Sequence, residues 1–410
     1  MKTGWETGAL ASISEVFTDG NWIESKDQAT DGIRLVQTGN VGEGVFKERR
    51  DKARWIDEDT FARLNCFEVL PGDCLISRLP DPVGRACLIP DTGDKMITAV
   101  DCSIVRPDET KIDPRLLVYF TQSRVYLRDV DERCSGTTRR RISRENLGKV
   151  PIPLPPLEEQ QRIVGVLDEA FEGLACARKN AEVNLQNARE LFERQLAEYF
   201  LETPDDWIFR KLKQITSKIG SGATPKGGAG AYKTQGISLI RSLNIHDRWF
   251  KEDKLAFIDD QQADKLSNVV VDERDVLLNI TGASIARCCV APSKFLPARV
   301  NQHVSIIRPD RDILSPEFLA LMLTSQPYKD RLLKTGEGNG STRQALTKAL
   351  IQSLEVAFPP EVAQQEEAVS VLETAEKKSK ELTVAYQAKL QDVEDLRQSL
   401  LQKAFAGELT

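Results

Sequence analysis

Histidine is almost missing from this sequence: His246 and His303 are the only two in 410 residues. Chemistry built on imidazole, whether a general base in each half or a cluster of metal ligands, has little to draw on. The eight cysteines form no C-x-x-C pair, and Cys288-Cys289 lies inside an apolar run. They read as small buried hydrophobes of a reducing compartment, not as a zinc site or a disulfide frame. No apolar stretch approaches the ~20 residues that a membrane span needs. Met1–Glu6 lacks the apolar core of an export leader, so the expectation is a cytoplasmic protein without membrane contact. There is no nucleophile elbow, no H-E-x-x-H helix and no G-x-G-x-x-G after a strand. Adjacent acids such as Asp259-Asp260 read as solvated turns. Neither catalytic residues nor a metal site are expected.

What is present begins with size and charge. A chain of 410 residues, 40% hydrophobic and 29% charged, suits a globular protein of two to three domains. Its net charge of −6 is unevenly placed. Residues 157–203 carry −5 and residues 361–410 carry −4, which leaves +3 on the remainder. A mildly basic remainder permits contact with phosphates.

The sequence repeats itself. Gly32-Ile33-Arg34-Leu35-Val36 aligns with Gly236-Ile237-Ser238-Leu239-Ile240 at an offset of 204. Asp73-Cys74-Leu75-Ile76 aligns with Asp275-Val276-Leu277-Leu278, and Ser103–Asp108 with Ser305–Asp310, at 202. Pro155-Pro156 and Gln160-Gln161 align with Pro359-Pro360 and Gln364-Gln365 at 204. Matches in one order at a nearly constant offset mark an internal duplication. Each copy holds a globular part of about 150 residues and a trailing segment of about 45.

The trailing segments predict long helices. Val164, Leu167, Phe171, Leu174, Ala181, Leu185, Ala188, Phe192 and Tyr199 fall on one stripe of the first. Leu372, Ala375, Leu382, Tyr386, Val393, Leu396 and Leu400 do so in the second. Spacings of three and four with charged residues between them are the coiled-coil pattern. Arg178, Gln195 and Ser379 interrupt the seams, as register markers or as tolerated imperfections. Pro155-Pro156 and Pro359-Pro360 precede the helices; Pro204 follows the first and Gly407 caps the second. A helix over 158–200 measures roughly 65 Å. One helix per copy favours a single antiparallel pair within the chain, although dimerisation would use the same spacing.

The globular parts mix short apolar runs with turn signals. Ile33–Val36, Cys74–Ile76, Ala86–Ile89 and Cys102–Val105 read as strands, while Pro114–Arg128 and Pro316–Leu333 read as helices opened by proline. The fold class is α/β (α+β) with a modest, mostly antiparallel sheet. The predicted domains are 1–156, the helix 157–203, then 204–359 and the helix 360–410. The loop Gly220–Gly228 lacks the G-x-x-x-x-G-K-[ST] spacing of a nucleotide cradle. Its Thr224 and Lys226 suit phosphate contact instead. So do Thr138, Arg139 and Arg140, and their counterparts Thr342 and Arg343.

At this point a resemblance emerges. Pro151-Ile152-Pro153-Leu154-Pro155-Pro156-Leu157-Glu158-Glu159-Gln160-Gln161 leads into the first long helix. A degenerate copy, Phe358-Pro359-Pro360-Glu361-Val362-Ala363-Gln364-Gln365, leads into the second. With the loop Ser221-Gly222-Ala223-Thr224-Pro225 and the ending Leu400–Leu409, the chain resembles the specificity subunits of type I restriction–modification systems. Thr18-Asp19-Gly20-Asn21 departs from that opening loop, so the two halves are expected to read different bases.

The resemblance implies two target-recognition domains, each bound to one half of a split double-stranded DNA site. It implies helices that set the spacer and dock two modification subunits. Restriction subunits join in systems that cleave. S-adenosylmethionine, ATP and Mg belong to those partners, and this chain needs no cofactor. Arginine reads guanine, and asparagine or glutamine reads adenine, in the major groove. Candidate readers at strand ends are therefore Arg34, Gln37, Thr38, Asn40, Arg78 and Arg85 in the first domain. In the second they are Arg241, Ser242, Asn244, Asn279, Thr281 and Arg287. Arg106 and Arg308, matched before proline, are expected to do structural work. The rival reading is a coiled-coil scaffold with duplicated binding heads and no DNA specificity. A third, an enzyme with an unrecognised site, finds no convergent set of side chains.

Overall fold

The computed structural model describes residues 4–136, 140–225, 228–334 and 345–409. The chain forms two compact units, Met1–Glu182 with Ala388–Thr410, and Val183–Gln387. Each combines one globular part with a stretch of both long helices.

The duplication is visible strand by strand. In the first unit an antiparallel sheet runs in the order Ser14–Asp19, Cys102–Pro107, Cys74–Ser77, Ala86–Leu88. A second, mixed sheet runs Arg54–Ile56, Ile33–Val36, Met96–Thr98, Glu68–Val69, with its two central strands parallel. The second unit repeats both. Its antiparallel sheet is Thr216–Ser221, Val304–Pro309, Val276–Asn279, Cys288–Val290. Its mixed sheet is Ala256–Ile258, Ile237–Ile240, Ala298–Val300, Val270–Val271. The expected sheet is thus two four-stranded sheets per unit, one of them mixed rather than antiparallel, with two-stranded sheets beside them.

Burial on both faces explains why the central strands read as continuous apolar runs. Cys74 and Ile76 point into a core shared with helix Pro114–Thr121 and the long helices. Leu75, between them, points into the layer beneath the mixed sheet. Val276, Leu278 and Leu277 repeat this division. Six of the eight cysteines lie buried in these layers, where desolvation raises the Cys102 thiol to about 11 and the Cys87 and Cys289 thiols to about 12. Cys176, on a long helix, is exposed.

A glycine at each entry allows close contact between the layers. A Cβ on Gly20 would lie 2.2 Å from the Thr98 carbonyl, and one on Gly222 would lie 1.7 Å from that of Val300. The two unlike openings share this one requirement.

The helix expected over Pro114–Arg128 is two helices, Pro114–Thr121 and Arg124–Glu132. Ser123 is extended and its side chain accepts from the Tyr126 N–H, which starts a new helix there. Likewise Pro316–Thr324 ends before Gln326–Lys334, with Ser325 extended between them.

The long helices are Leu157–Leu201 and Val362–Ala406, each of 45 residues. A buried glutamine clamps each start. Gln160 accepts from the Asp113 N–H at 2.8 Å and donates to the Lys111 and Pro155 carbonyls at 2.9 and 2.8 Å. Gln365 accepts from the Ser315 N–H at 2.8 Å and donates to the Ile313 and Pro359 carbonyls at 3.0 and 2.9 Å. The structural equivalent of Gln160 is therefore Gln365, not Gln364: one residue is inserted after the second proline pair.

Antiparallel packing follows from the partners. In the first unit Ile163, Val164 and Leu167 share a core with Leu401, Ala404 and Phe405. In the second, Phe192, Leu196 and Phe200 share one with Val369 and Leu372. Leu382 and Leu396, expected on the seam, are 40% and 51% exposed. Leu401 takes the buried place beside Leu400, because a real helix drifts about 20° per heptad from the ideal stripe. Ser379 is buried and donates to the Ala188 carbonyl of the facing helix at 2.5 Å. Gly407, at φ +75, ends the second helix with Glu408 N–H donating to the Lys403 carbonyl at 2.9 Å.

Candidate nucleic-acid interface

The expected readers sit where strand ends meet loops, but the structure divides them into two groups. The first holds the loops together. Arg34 is 1% exposed; its guanidinium donates to Glu48 at 2.5 and 3.1 Å and approaches Asp94 at 3.4 Å. Arg85 is buried and donates to four backbone carbonyls: Thr38, Val41, Leu79 and Pro82, at 2.8–3.0 Å. Arg78 is 5% exposed, donates to the Val100 carbonyl and lies 3.3 Å from Asp19. Burial lowers the pKa of both Arg78 and Arg85 from the ordinary arginine value.

Asn40 and Asn244 do one job in both repeats. The Asn40 amide oxygen accepts from the Gln37 N–H at 3.0 Å, and its nitrogen donates to the Lys47 carbonyl at 3.0 Å. Asn244 does the same with the Arg241 N–H at 3.1 Å and the Lys251 carbonyl at 2.9 Å. Asn279 is fully buried and donates to the Ser242 carbonyl at 2.9 Å and the Ser284 hydroxyl at 3.1 Å. These six side chains are engaged with other groups of the fold in this structure. Arg34 is held by the Glu48 and Asp94 carboxylates, while the other five each donate to at least one backbone carbonyl.

The second group stays accessible. Gln37, Thr38, Thr224, Arg241, Ser242, Thr281 and Arg287 are half-buried, and Arg140 is exposed. Arg287 occupies the repeat position of Arg85, yet among the described residues its guanidinium has neither an ion pair nor a carbonyl clasp. Arg241 lies over the Tyr232 ring at 5.1 Å and donates to the Lys254 carbonyl at 2.5 Å. Arg140 pairs with Asp131 at 2.9 Å. Thr138, Arg139, Lys226, Thr342 and Arg343 lie outside the described residues.

Reasoning from sequence overlooked one constellation. Thr224 donates to Gln302, the Gln302 amide nitrogen lies 3.2 Å from His303 Nε2, and His303 Nδ1 lies 2.6 Å from the Thr281 hydroxyl. This polar chain joins the loop after Thr216–Ser221 to those after Val276–Asn279 and Ala298–Val300. Gln302 and His303 had a signal in their position, directly before the strand Val304–Pro309. Nearby, His246 stacks on Trp249 with ring centroids 4.1 Å apart. Burial and the charge of Arg287 hold its imidazole below its usual pKa.

Arg106 and Arg308 have the structural duty expected of them. Arg106 grips the buried Asp73 at 2.8 and 2.9 Å, and Arg308 grips the buried Asp275 at 2.7 and 2.8 Å. The acid partner raises the pKa of each arginine. A two-pronged ion pair on a buried carboxylate locks the same two strands together in each unit.

Two α/β bodies on one scaffold, with different polar groups at the loop ends and a pair of long helices, define a duplicated recognition protein. The chain belongs to the type I restriction modification DNA specificity domain family, whose model matches residues 2–185 and again 204–391. It is similar to the putative type I restriction enzyme MjaX specificity subunit of Methanocaldococcus jannaschii, 22% identical over 87% of this chain and 83% of that one. It is also similar to the EcoKI specificity subunit of Escherichia coli K12, 22% identical over 75% of this chain and 68% of that one. Among solved structures, a chain of a type I R-M system superposes with a TM-score of 0.73 at 19% identity, covering 100% of this chain and 99% of its own. The HsdS subunit from Thermoanaerobacter tengcongensis gives 0.62 at 18% identity, covering 99% and 98%. Likeness at that identity bears on the fold. No helix among the described residues is long and apolar enough to cross a membrane.

Proposed function

We propose that this chain is the specificity subunit of a type I restriction–modification complex, with domains 1–156 and 204–359 each reading one half of a split double-stranded DNA site. The long helices 157–203 and 360–410 set the spacer and dock two modification subunits; restriction subunits join where the system cleaves. The complex works in the cytoplasm. S-adenosylmethionine, ATP and Mg serve the partner subunits, and this chain contributes recognition without catalysis.

The observation that carries this reading is the contrast between equivalent positions on one scaffold. Arg85 is clasped by four carbonyls, whereas its counterpart Arg287 has no such clasp among the described residues and suits contact with a base edge or a phosphate. Two copies of one frame with different free groups suit an asymmetric site. The best candidates for contact are Gln37, Thr38 and Arg140 in the first domain. In the second they are Thr224, Arg241, Ser242, Thr281 and Arg287, with Gln302 and His303 beside them. Linking two modest binders makes the second engagement intramolecular.

The test is single-molecule sequencing of adenine methylation in cells that express this chain with its modification subunit. A new split motif with one fixed spacer is the expected result. With an active partner and no new motif, the scaffold reading replaces this one. Duplex DNA binding that does not weaken with salt points the same way.

A further inference from the structure

Besides the shared cores and the glutamine clamps, one turn in each recognition body also meets the long helices. In the second unit that turn is Asp247-Arg248, joining Ile245–His246 to Trp249–Phe250. Its backbone is held against the antiparallel sheet: the Arg248 N–H donates to the Cys288 carbonyl at 2.8 Å, with Arg248 at φ +68. The guanidinium then reaches both long helices. It donates to Glu193 on the first at 2.5 Å and to Glu376 on the second at 3.0 Å. It also lies over the Phe192 ring at 4.8 Å, with 14% of its side chain exposed. Asp247 anchors the turn from behind, paired with Lys329 at 2.6 Å.

The first unit builds the same junction with its direction reversed. Gly44 is the repeat counterpart of Arg248: its N–H donates to the Ala86 carbonyl at 2.8 Å, and its φ is +80. A Cβ at Gly44 would come within 2.5 Å of the Gln122 amide. Here the arginine comes from the second long helix. Arg397 donates to that same Gln122 amide oxygen and lies over the Phe171 ring at 5.0 Å. Phe171 and Phe192 both belong to the first long helix.

We infer that these two clasps, Arg248 over Phe192 and Arg397 over Phe171, fix the angle of each recognition body on the helices and thereby hold the complex to one spacer length. This inference rests on the proposed DNA-reading role and adds positioning residues to it. Neither arginine is assigned a base. The mechanical path in the second unit is short. Asn244, which shapes the loop carrying Arg241 and Ser242, is followed directly by the strand that leads into the Asp247-Arg248 turn. One DNA base step is only ~3.4 Å, so a body able to rock on its helices tolerates a spacer one base pair too long or too short. An arginine that binds two carboxylates and a ring face at once resists rocking in two directions.

The experiment uses the full specificity chain with its modification subunit in cells, read by methylation sequencing. The variants are Arg248→Met, Arg248→Lys and Arg397→Met. Methionine keeps the apolar packing on phenylalanine while removing the charge. With the methionine variants, both half-site sequences stay unchanged. Methylation at spacers one base pair longer or shorter rises about tenfold, the factor that loss of a ~1.4 kcal/mol restraint gives. Arg248→Lys restores part of the strictness. A core variant, Val276→Ala, serves as the stability control and weakens methylation without widening the spacer. Methionine variants that keep a single spacer, or lose methylation without widening it, overturn the inference while the wild-type split motif leaves the DNA-reading role intact. A wild-type chain that yields no split motif removes both.

Discussion

A single position shows how one residue type serves two ends in this protein. Arg85 and Arg287 occupy matching places 202 residues apart, but Arg85 closes a loop from within, whereas Arg287 is half-buried and has no such clasp among the described residues. Replacing Arg85 with methionine leaves buried carbonyls without a donor and is expected to destabilise the first unit by about 2–3 kcal/mol. Replacing Arg287 with methionine should leave thermal stability nearly unchanged, lower DNA affinity, and change or relax the second half-site while sparing the first. Denaturation curves and methylation motifs for the two variants check both statements. If Arg287→Met leaves the second half-site as it was, Arg287 is not a reader.

At the scale of elements, the starts of the long helices are the points of greatest leverage. Gln160 and Gln365 each satisfy one backbone N–H and two carbonyls and are themselves fully buried. A leucine fills the space without replacing the bonds, so each Gln→Leu change is expected to cost about 2–4 kcal/mol. Urea denaturation of the whole chain measures it; a change below 0.5 kcal/mol, roughly the level of a neutral surface substitution, would show that water takes over the glutamine's role. Both glutamines were legible as motif residues, because proline pairs before a long apolar stripe mark a helix start. Their partners were not. Lys111, Asp113, Ile313 and Ser315 come from loops about fifty residues away, and only the packed domain delivers them. The two-part helices after Pro114 and Pro316 teach a related lesson. The apolar pattern continues across Ser123 and Ser325, so periodicity joins what the serine backbone separates.

At the scale of the whole molecule, the long helices carry the proposed ruler. Their seam was legible at the ends, where Val164, Leu167 and Phe192 are buried, although Phe200 rather than the expected Tyr199 takes the fully buried place. It was less legible in the middle, where the small Ala188 faces Ser379 and its carbonyl accepts the serine hydroxyl. Inserting four residues after Ala177 and four after Asp392 lengthens both helices by roughly 6 Å. At ~3.4 Å per base step the spacer should grow by about two base pairs, with both half-sites unchanged. Methylation sequencing reads the spacer directly, and an unchanged spacer would remove the ruler from the proposal.

The sequence by itself determined the duplication, the paired long helices and most central strands. Each of these rests on a pattern of apolar residues repeated at fixed spacing, and burial on two faces or along one stripe writes that pattern plainly. It also marked Arg106 and Arg308 as structural, because both stand before proline at matched strand ends. Tertiary structure alone decided which polar residues remain free. Arginine and asparagine at a strand end have the same chemistry whether they meet a base or a carbonyl. Arg34 is held by Glu48, Asn244 by its own loop, and Arg85 by four carbonyls from two loops. Hydrogen-bonding capacity is local to a residue, but the partner that uses it is supplied by the fold.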